Sequence, residues 1–208
     1  MVVIGVTGSV GTGKSTVAGM FKRLGAVVLD ADLLAHRVME PKRLAWREVV
    51  KTFGERVLND DQTINRRRLA SLIFSDEENR RRLEAIIHPR VMREIARELH
   101  RLRGSRRVRV AILDVPLLVE VGAQRLVDAL VVVTAPPGAQ RERLKRQHGW
   151  SDEEIRARIG AQEKLAAKAA LADHVIDNSD GVDATRTQVK RIWDQLGLLN
   201  RQSSTSRR

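Results

Sequence analysis

The sequence has no cysteine and no tyrosine, and aromatic residues make up only 3% of its 208 residues. Without cysteine there are no disulfides, thiolate metal sites or cysteine nucleophiles. The scarcity of aromatic rings leaves little for stacking the bases of single-stranded nucleic acid. No apolar run approaches the roughly 18 residues that span a bilayer, and the start of the chain does not resemble a signal peptide. We therefore expect a cytoplasmic protein with no membrane partner, either a monomer or a small homo-oligomer.

The chain carries a formal net charge of +12, which favours an anionic partner. Nucleic acid and a nucleotide or coenzyme with several phosphates both satisfy that condition. Arginine runs at 66–68 and 80–82 fall inside helical patterns, where most such charges form a solvated face. Charge alone does not decide between these partners.

Five short β-branched runs alternate with helical segments, which is typical of a parallel sheet covered by helices on both faces. About 80 residues separate the second run from the third, far more than a simple crossover needs. This spacing predicts a helical lobe over the edge of the sheet where ligands bind. The predicted strands are Val2–Val6, Val27–Leu29, Val108–Leu113, Leu130–Thr134 and Val175–Ile176.

Helix boundaries follow from capping residues and from glycine or proline punctuation. The arginine-rich segment 140–162 predicts two helices joined at Gly149, and the polar, basic tail after residue 200 is expected to be disordered. The predicted helices are one from the glycine-rich turn to Leu24, one capped by Asp76 and running through Ile87, one from Pro89 to about Leu102, one opened by the capping box of Ser151 and Glu154, and one over Gly181–Leu196.

A glycine-rich segment directly after the first strand fits the P-loop pattern at every fixed position and opens a helix. Its glycines allow consecutive backbone N–H groups to turn toward phosphate oxygens, and the helix N-terminus adds partial positive charge. Lys14 is expected to contact the β- and γ-phosphates of ATP, and the Ser15 hydroxyl to bind Mg²⁺. The predicted ATP-binding residues are Gly8, Ser9, Val10, Gly11, Thr12, Gly13, Lys14, Ser15 and Thr16.

Asp114, at the end of the third strand, is a second candidate in the phosphate site. A carboxylate there would hold Mg²⁺ through water, whereas the alternative is a cap on the following turn.

The P-loop identifies a nucleotide-binding protein and leaves the class open. No Asn-Lys-x-Asp motif is present, which argues against a regulatory GTPase, and Val115 follows Asp114 where a translocating ATPase would carry glutamate. Small-molecule kinases remain, including nucleoside and nucleotide kinases. A basic P-loop protein that binds nucleic acid and uses ATP as a switch is an alternative of another class.

Several motifs together resemble those of the dephospho-CoA kinase family, in the family's order along most of the chain. They are Leu29-Asp30-Ala31-Asp32-Leu33-Leu34-Ala35, His88-Pro89, Leu113-Asp114-Val115-Pro116-Leu117-Leu118-Val119-Glu120, Ala157-Arg158-Ile159 with Ala161-Gln162, and Ala172-Asp173-His174-Val175-Ile176-Asp177-Asn178.

The resemblance implies transfer of the γ-phosphoryl group of ATP to the ribose 3′-hydroxyl of dephospho-CoA, with Mg²⁺ and without nucleic acid. It implies a three-layer α/β P-loop kinase fold with a five-stranded parallel sheet, a helical CoA-binding lobe and a helical lid. The expected divisions are a core at 1–30, 105–135 and 172–200, an acceptor lobe at 31–104, a lid at 138–165 and a disordered tail at 201–208.

The resemblance also assigns roles to residues outside the P-loop. Asp32 matches the general base, although it would also serve as N-cap of a helix from Leu33, and Asp30 is expected to be structural or a neighbour of Mg²⁺ through water. Asn178 would border the adenine. Residues expected to contact the acceptor are Asp32, Arg66, His88, Pro116, Leu117 and Leu118, and those expected to act from the lid on the phosphates are Arg143 and Arg146, with Arg158 a further candidate.

Some positions depart from the family pattern, among them one in the lid and two in the acceptor lobe. Gln147 stands where the family has its lid arginine, so Arg146 or Arg143 would take that role. In the acceptor lobe, His36 replaces a common arginine and Lys42 replaces the glycine that usually follows the proline at position 41.

Overall fold

A computed structural model describes residues 1–74, 76–115, 118, 122–160, 162 and 165–205. Five strands form one sheet with the order β2-β3-β1-β4-β5, and β1 pairs in parallel with both β3 and β4, as does β4 with β5. This confirms the predicted three-layer α/β fold with a five-stranded sheet. The strands are β1 (Val2–Thr7), β2 (Val27–Asp30), β3 (Val110–Asp114), β4 (Ala129–Thr134) and β5 (His174–Asp177).

The helices connect the strands and cover the sheet. Two short 3-10 turns, Glu55–Val57 and Ala123–Leu126, supplement them. The α-helices are α1 (Lys14–Arg23), α2 (Ala31–Val38), α3 (Leu44–Phe53), α4 (Arg66–Phe74), α5 (Glu77–Arg103), α6 (Pro137–His148), α7 (Asp152–Gly160), α8 (Leu165–Ala170) and α9 (Val182–Thr205).

Strand β1 lies at the centre of the sheet because its residues are apolar on both faces. Val3, Ile4 and Val6 are fully buried. One face packs on α1 and α9 in a continuous core that includes Phe21 and Val189. Burying both faces of β1 fixes the start of the loop that follows it, since a slip of one residue would reverse every side chain.

Several local predictions are confirmed in atomic detail. The Asp76 carboxylate accepts hydrogen bonds from the backbone N–H groups of Glu78 and Asn79, at 2.8 and 3.2 Å, and so caps α5. Ser151 and Glu154 exchange side chain to backbone hydrogen bonds of 2.9 and 3.2 Å, which is the reciprocal capping box at the start of α7. Gly149 ends α6 in the left-handed conformation.

The predicted break at Pro89 is wrong, because α5 runs without interruption through that proline. Its buried side chains, Leu83, Ile87, Val91 and Ile95, follow one another at intervals of four residues on both sides of the proline. This stripe turns by only about 40° around the helix at each step, so it continues across the proline without a break. Packing along it therefore outweighs the roughly 3 kcal/mol that proline costs inside a helix.

In the structure, α9 continues to Thr205 and so includes residues 201–205 of the tail that the sequence predicts to be disordered; the disordered tail stays a prediction. Extending an existing helix adds one hydrogen bond per residue fixed and avoids the cost of nucleation, so a polar segment can follow a packed helix. The remaining tail residues, 206–208, lie outside the described part.

The chain divides into two compact units, residues 1–29 with 99–208, and residues 30–98. The first contains the sheet apart from the last residue of β2, together with the segments after α5. The second contains α2, α3, α4 and most of α5, and Val49, Phe53 and Ile95 are among its buried residues. The finer division into core, acceptor lobe and lid stays a prediction. No helix in the described part of the chain combines the length and the apolar character needed to cross a bilayer.

Candidate active site

The loop between β1 and α1 is shaped by glycines that no other residue can replace without strain. Gly8 and Gly13 adopt φ angles of 151° and 95°, which L-residues with a Cβ rarely take. A Cβ on Gly8 would lie 2.4 Å from the carbonyl oxygen of Val133 on β4, and one on Gly13 would lie 2.2 Å from Asn178 Nδ2. The loop is therefore held tightly against the ends of the neighbouring strands.

The interior of this loop is closed by its own side chains. The Thr12 hydroxyl donates to the Ser9 carbonyl at 2.8 Å, and the Lys14 ammonium lies 3.0 Å from the Gly8 carbonyl and 3.1 Å from that of Ser9. Helix α1 begins at Lys14 with no side-chain cap and no acidic residue in its first turn. The positive end of the helix dipole therefore meets an ammonium group, an arrangement suited to phosphate.

Arg143 on α6 reaches the same loop. Its Nη1 donates to the carbonyls of Gly11 and Thr12, at 3.4 and 3.2 Å, and its Nη2 donates to the carbonyl of Asn178 at 2.7 Å. The guanidinium thus joins the P-loop to the segment after β5. Sequence analysis expects Arg143 on the ATP phosphates, and the structure places it on the carbonyls of the loop that would hold them.

Asn178, which follows β5, also braces the P-loop. It is buried, its Nδ2 donates to the Thr12 carbonyl at 2.8 Å, and its Oδ1 accepts from the hydroxyl of Thr185 on α9 at 2.8 Å. Thr185 is itself fully buried. The amide is therefore oriented from behind and fixes the carbonyl one residue before Gly13.

A third contact comes from Gln162. Its Oε1 accepts hydrogen bonds from the Val10 backbone N–H at 3.0 Å and from the Ser9 hydroxyl at 3.1 Å. The side-chain oxygen of Gln162 therefore accepts a hydrogen bond from a backbone N–H group of the loop. A phosphate oxygen, which is also an acceptor, could bind the loop in the same way. In the sequence, Gln162 is part of a family motif, and no local pattern predicts its contact with the phosphate-binding loop.

The donors available for a metal are oxygen atoms. Asp114, which is 8% exposed, ends β3 and is in register with Val6 at the end of β1, while Ser15 is exposed on the first turn of α1. In the described residues no group of three or more His, Asp or Glu side chains forms a metal-binding cluster. A hydroxyl and a carboxylate fit Mg²⁺, which prefers few protein ligands together with substrate phosphates.

In the second unit, Asp30 caps α2 by accepting hydrogen bonds from the N–H groups of Asp32 and Leu33, at 2.8 and 3.1 Å. The capping role left open for Asp32 therefore belongs to Asp30. Asp32 itself is exposed in the first turn of the helix.

His36, one turn after Asp32, links α2 electrostatically to α4. Burial lowers the pKa of His36, and the Arg66 guanidinium lowers it further, whereas Asp32 and Asp30 raise it. Both Asp32 and Arg66 therefore lie close enough to His36 to act on its charge. Two predicted acceptor contacts, Asp32 and Arg66, share one neighbourhood.

The remaining predicted site residues differ in how exposed their side chains are. His88 is half-buried on α5, and Arg146 is exposed on α6. Leu118 is fully buried, and its Cδ1 lies 2.8 Å from where a Cβ on Gly5 would stand, so it packs on β1. Pro116 and Leu117 lie outside the described residues.

Arg158 lies on an aromatic ring. Its guanidinium carbon is 3.9 Å from the centre of a Trp150 ring. Trp150 also stacks on His148, with ring centres 4.3 Å apart. This cation–π contact holds α7 against the end of α6. Sequence analysis treats Arg158 only as a candidate for the phosphates.

Comparison with known proteins assigns this site to a family. The family model described as Dephospho-CoA kinase matches residues 2–184. The chain belongs to the dephospho-CoA kinase family. A dephospho-CoA kinase of Syntrophus aciditrophicus is 40% identical over 209 residues, covering 99% of this chain and 89% of that protein.

Solved structures show the same fold. The chain is 36% identical to TT1252 from Thermus thermophilus, with a TM-score of 0.79 and coverage of 94% of this chain and 97% of the other. Dephospho-CoA kinase from Campylobacter jejuni has a TM-score of 0.71 at 24% identity, covering 95% and 98% of the two chains, and shows the shared fold. Membership of the dephospho-CoA kinase family confirms the resemblance drawn from the motifs and makes the chain a kinase.

The sequence does not predict the residues that support the P-loop of this kinase site from behind. Thr185 and the P-loop contact of Gln162 carry no recognisable local pattern, because their partners lie 7 and more than 150 residues away along the chain. The signal in the sequence is the motif around Ala157 to Gln162, which by itself indicates no role for Gln162.

Proposed function

We propose that this chain transfers the γ-phosphoryl group of ATP to the ribose 3′-hydroxyl of dephospho-CoA, giving coenzyme A and ADP. The observation that carries the proposal is the P-loop, in which Lys14 and the uncapped start of α1 converge inside a loop braced by Arg143 and Asn178. Family membership supports the choice of acceptor.

On the ATP side, each residue has a distinct task. Lys14 would neutralise the β- and γ-phosphates, and the backbone N–H groups of residues 8–16 would bind their oxygens. Arg143 and Asn178 would hold the loop in the shape that binds phosphate, with Asn178 also bordering the adenine. Arg146, exposed on α6, would provide a further positive charge as the transferred group develops negative charge.

Ser15 and Asp114 would hold Mg²⁺, Ser15 directly and Asp114 through water. When bound, the ion supplies charge neutralisation on the phosphates. The proposed task of Ser15 and Asp114 is to bind the Mg²⁺ ion and to hold it beside the phosphates.

On the acceptor side, Asp32 would accept the proton of the 3′-hydroxyl as the bond to phosphorus forms. A carboxylate with an ordinary pKa suffices, because positioning and charge stabilisation carry most of the rate in a loose phosphoryl-transfer transition state. Arg66 and His88 would bind the acceptor, together with the segment Pro116 to Leu118. The Arg66 guanidinium suits the acceptor's phosphates.

The direct test is a coupled assay of ADP formation with and without dephospho-CoA. We expect turnover that depends on both ATP and dephospho-CoA, with coenzyme A as the product. ADP formation that stays at the background ATPase rate when dephospho-CoA is added would contradict the proposal. A panel with nucleosides and nucleotides as acceptors then tests whether the fold serves another kinase reaction.

Two carboxylates at the start of α2, the N-cap Asp30 and the first-turn Asp32, provide a matched pair of variants for the base. Asp32→Asn removes the proposed base and should lower kcat by about 10²- to 10⁴-fold with little change in ATP affinity. Asp30→Asn is the control, because asparagine caps a helix as well as aspartate does. Near-full turnover of Asp32→Asn, or equal losses in both variants, would refute the assignment.

A cytoplasmic location and a monomer or small homo-oligomer complete the proposal, with no nucleic acid or membrane as partner. Sedimentation of the purified chain measures the oligomeric state directly.

A further inference from the structure

A basic pocket of about 360 Å³ lies within the second unit, formed by the turn between α2 and α3 and by one face of α5. Its volume falls in the range of small-molecule sites. Five cationic side chains and one carboxylate take part in the lining, and apolar contacts come from Val38, Leu44 and Ala45. The charged lining residues are Lys42, Arg43, Arg90, Arg93, Arg97 and Glu94.

Ion pairs within the unit neutralise only part of this charge. Arg43 pairs with Glu40 at 2.9 Å, Arg97 pairs with Glu94 at 3.3 Å, and Arg90 pairs with Glu48. Among the described residues, Lys42 and Arg93 take part in no ion pair. The Nε of Arg90 is buried and has no hydrogen-bond partner within the described part of the chain. The pocket therefore retains positive charge and donors without an acceptor.

The backbone adds to this positive character. Lys42 has φ of 71°, a left-handed conformation that costs a lysine of the order of 1 kcal/mol. Immediately afterwards α3 begins at Leu44 with neither a side-chain cap nor an acidic residue in its first turn. Its first N–H groups and dipole belong to residues that line the pocket.

The pocket lies on the face of α5 opposite His88, the proposed acceptor contact. At about 100° per residue, Arg90, Arg93 and Arg97 project at about 200°, 140° and 180° from His88 around the helix axis. His88 and the three arginines therefore lie on opposite faces of α5.

We infer that this pocket is a second anion site, separate from the acceptor site, which binds the diphosphate group of a small molecule. Two cations that form no ion pair among the described residues, the half-buried Arg90 with its unpartnered Nε, and a helix N-terminus match the roughly three negative charges of a diphosphate better than the charge of a single phosphate. The lining contains no aromatic ring on which a base would stack. The recognised chemistry is therefore the diphosphate itself.

Titration calorimetry with inorganic pyrophosphate tests the site in the full chain carrying Lys14→Ala, which weakens competing binding at the P-loop. We expect one pyrophosphate bound per chain. Lys42→Gly and Arg93→Gln, each added to that background, should raise the Kd by about tenfold or more. Lys42→Gly should also keep or raise the thermal midpoint, because glycine suits the left-handed backbone, so loss of binding there is not loss of fold.

The matched control is Arg81→Gln, which removes an exposed arginine from the same helix outside the pocket and should leave the Kd unchanged. Absence of pyrophosphate binding, or an unchanged Kd in both pocket variants, would overturn the inference.

A kinetic measurement separates this site from the acceptor site. With Lys14 intact, Lys42→Gly and Arg93→Gln should leave the KM for dephospho-CoA within about twofold, since the cations lie across the helix from His88. A rise in KM that parallels the loss of pyrophosphate binding would show that the pocket is part of the acceptor site. The calorimetric result does not depend on the proposed activity, so the two hypotheses fail independently.

Discussion

Thr185 orients the amide of Asn178 and is not one of the proposed nucleotide contacts. Thr185→Val would leave the buried Asn178 Oδ1 without its donor at 2.8 Å. We expect the free energy of unfolding to fall by about 1–3 kcal/mol and the KM for ATP to rise severalfold, because the amide then holds the Thr12 carbonyl less firmly. Denaturant unfolding and steady-state kinetics measure both effects.

Thr187 provides the matched control on the same helix. It is exposed, and its hydroxyl bonds only to the carbonyl of Asp183 on the preceding turn at 3.0 Å. Thr187→Val should change the stability by about 0.5 kcal/mol or less. If the two valine variants behaved alike, Thr185 would have no special part in bracing the P-loop.

The charge on His36 reports on Arg66 and Asp32. Because the guanidinium lowers the pKa of His36 and the carboxylate raises it, Arg66→Gln should raise that pKa and Asp32→Asn should lower it. NMR titration of the imidazole protons measures the shifts. Arg67→Gln, beside Arg66 on α4 and exposed, is the control. If neither substitution shifts the pKa of His36, then Arg66 and Asp32 do not lie close enough to the imidazole to affect its charge.

The lowered pKa of His36 also sets the direction of its effect on stability. The unfolded chain binds this proton more readily than the folded chain, so the contribution of His36 is fully present above the ordinary value of 6.5. It is lost as the pH falls through the lowered pKa of the folded state. Stability measured between neutral and mildly acidic pH should fall less in His36→Gln.

At the scale of residues, the sequence predicts the parts of the site that are contiguous. Gly8 to Ser15 supply the loop, the ammonium and the hydroxyl within eight positions, and local geometry requires that spacing. The bonds from Arg143, Asn178 and Gln162 to the same loop span more than 130 residues of sequence. These groups come together only in the folded structure, so no local sequence pattern predicts their hydrogen bonds to the loop.

At the scale of elements, helix α5 retains a proline in its interior. Pro89→Ala would restore an N–H facing the carbonyl of Ala85, four residues earlier, and would remove the clash of the ring. We expect the free energy of unfolding to rise by about 1–3 kcal/mol, measured by denaturant titration. Replacing exposed Arg81 by alanine should change it by about 0.5 kcal/mol or less. A loss of stability in Pro89→Ala would mean that the helix depends on a distortion at the proline.

The same helix explains where prediction from punctuation fails. Pro89 is favoured at the first position of a helix, which predicts a break before it. The apolar stripe of Leu83, Ile87, Val91 and Ile95 nevertheless keeps its phase across the proline, and burial follows that stripe. Where periodicity and punctuation disagree, the larger free energy is that of the buried side chains.

On the scale of the whole molecule, the net charge of +12 is spread over helices that carry their own counterions. Arginines at 80, 81, 82, 97, 156 and 186 each pair with a carboxylate three or four residues away. Such pairs stabilise little individually, but they break up a continuous basic surface. The charge is therefore consistent with solvated helix faces and with small phosphorylated ligands.

This distribution predicts weak binding to nucleic acid. A single-stranded oligonucleotide should show no saturable binding at about 150 mM salt, and it should not alter ADP formation. Fluorescence anisotropy over a salt series is the measurement, with pyrophosphate binding under the same conditions as the positive control. Tight binding whose affinity falls steeply with salt would instead favour a nucleic-acid partner.

In the proposed reaction, the phosphoryl group goes from ATP to the 3′-oxygen of the acceptor ribose. Phosphorus NMR of a reaction containing Mg²⁺, ATP and dephospho-CoA follows both products at once. We predict a new ribose phosphomonoester signal that grows in equal amount with ADP, and the loss of this signal in Asp32→Asn. ADP that accumulates with inorganic phosphate and no phosphomonoester would contradict it.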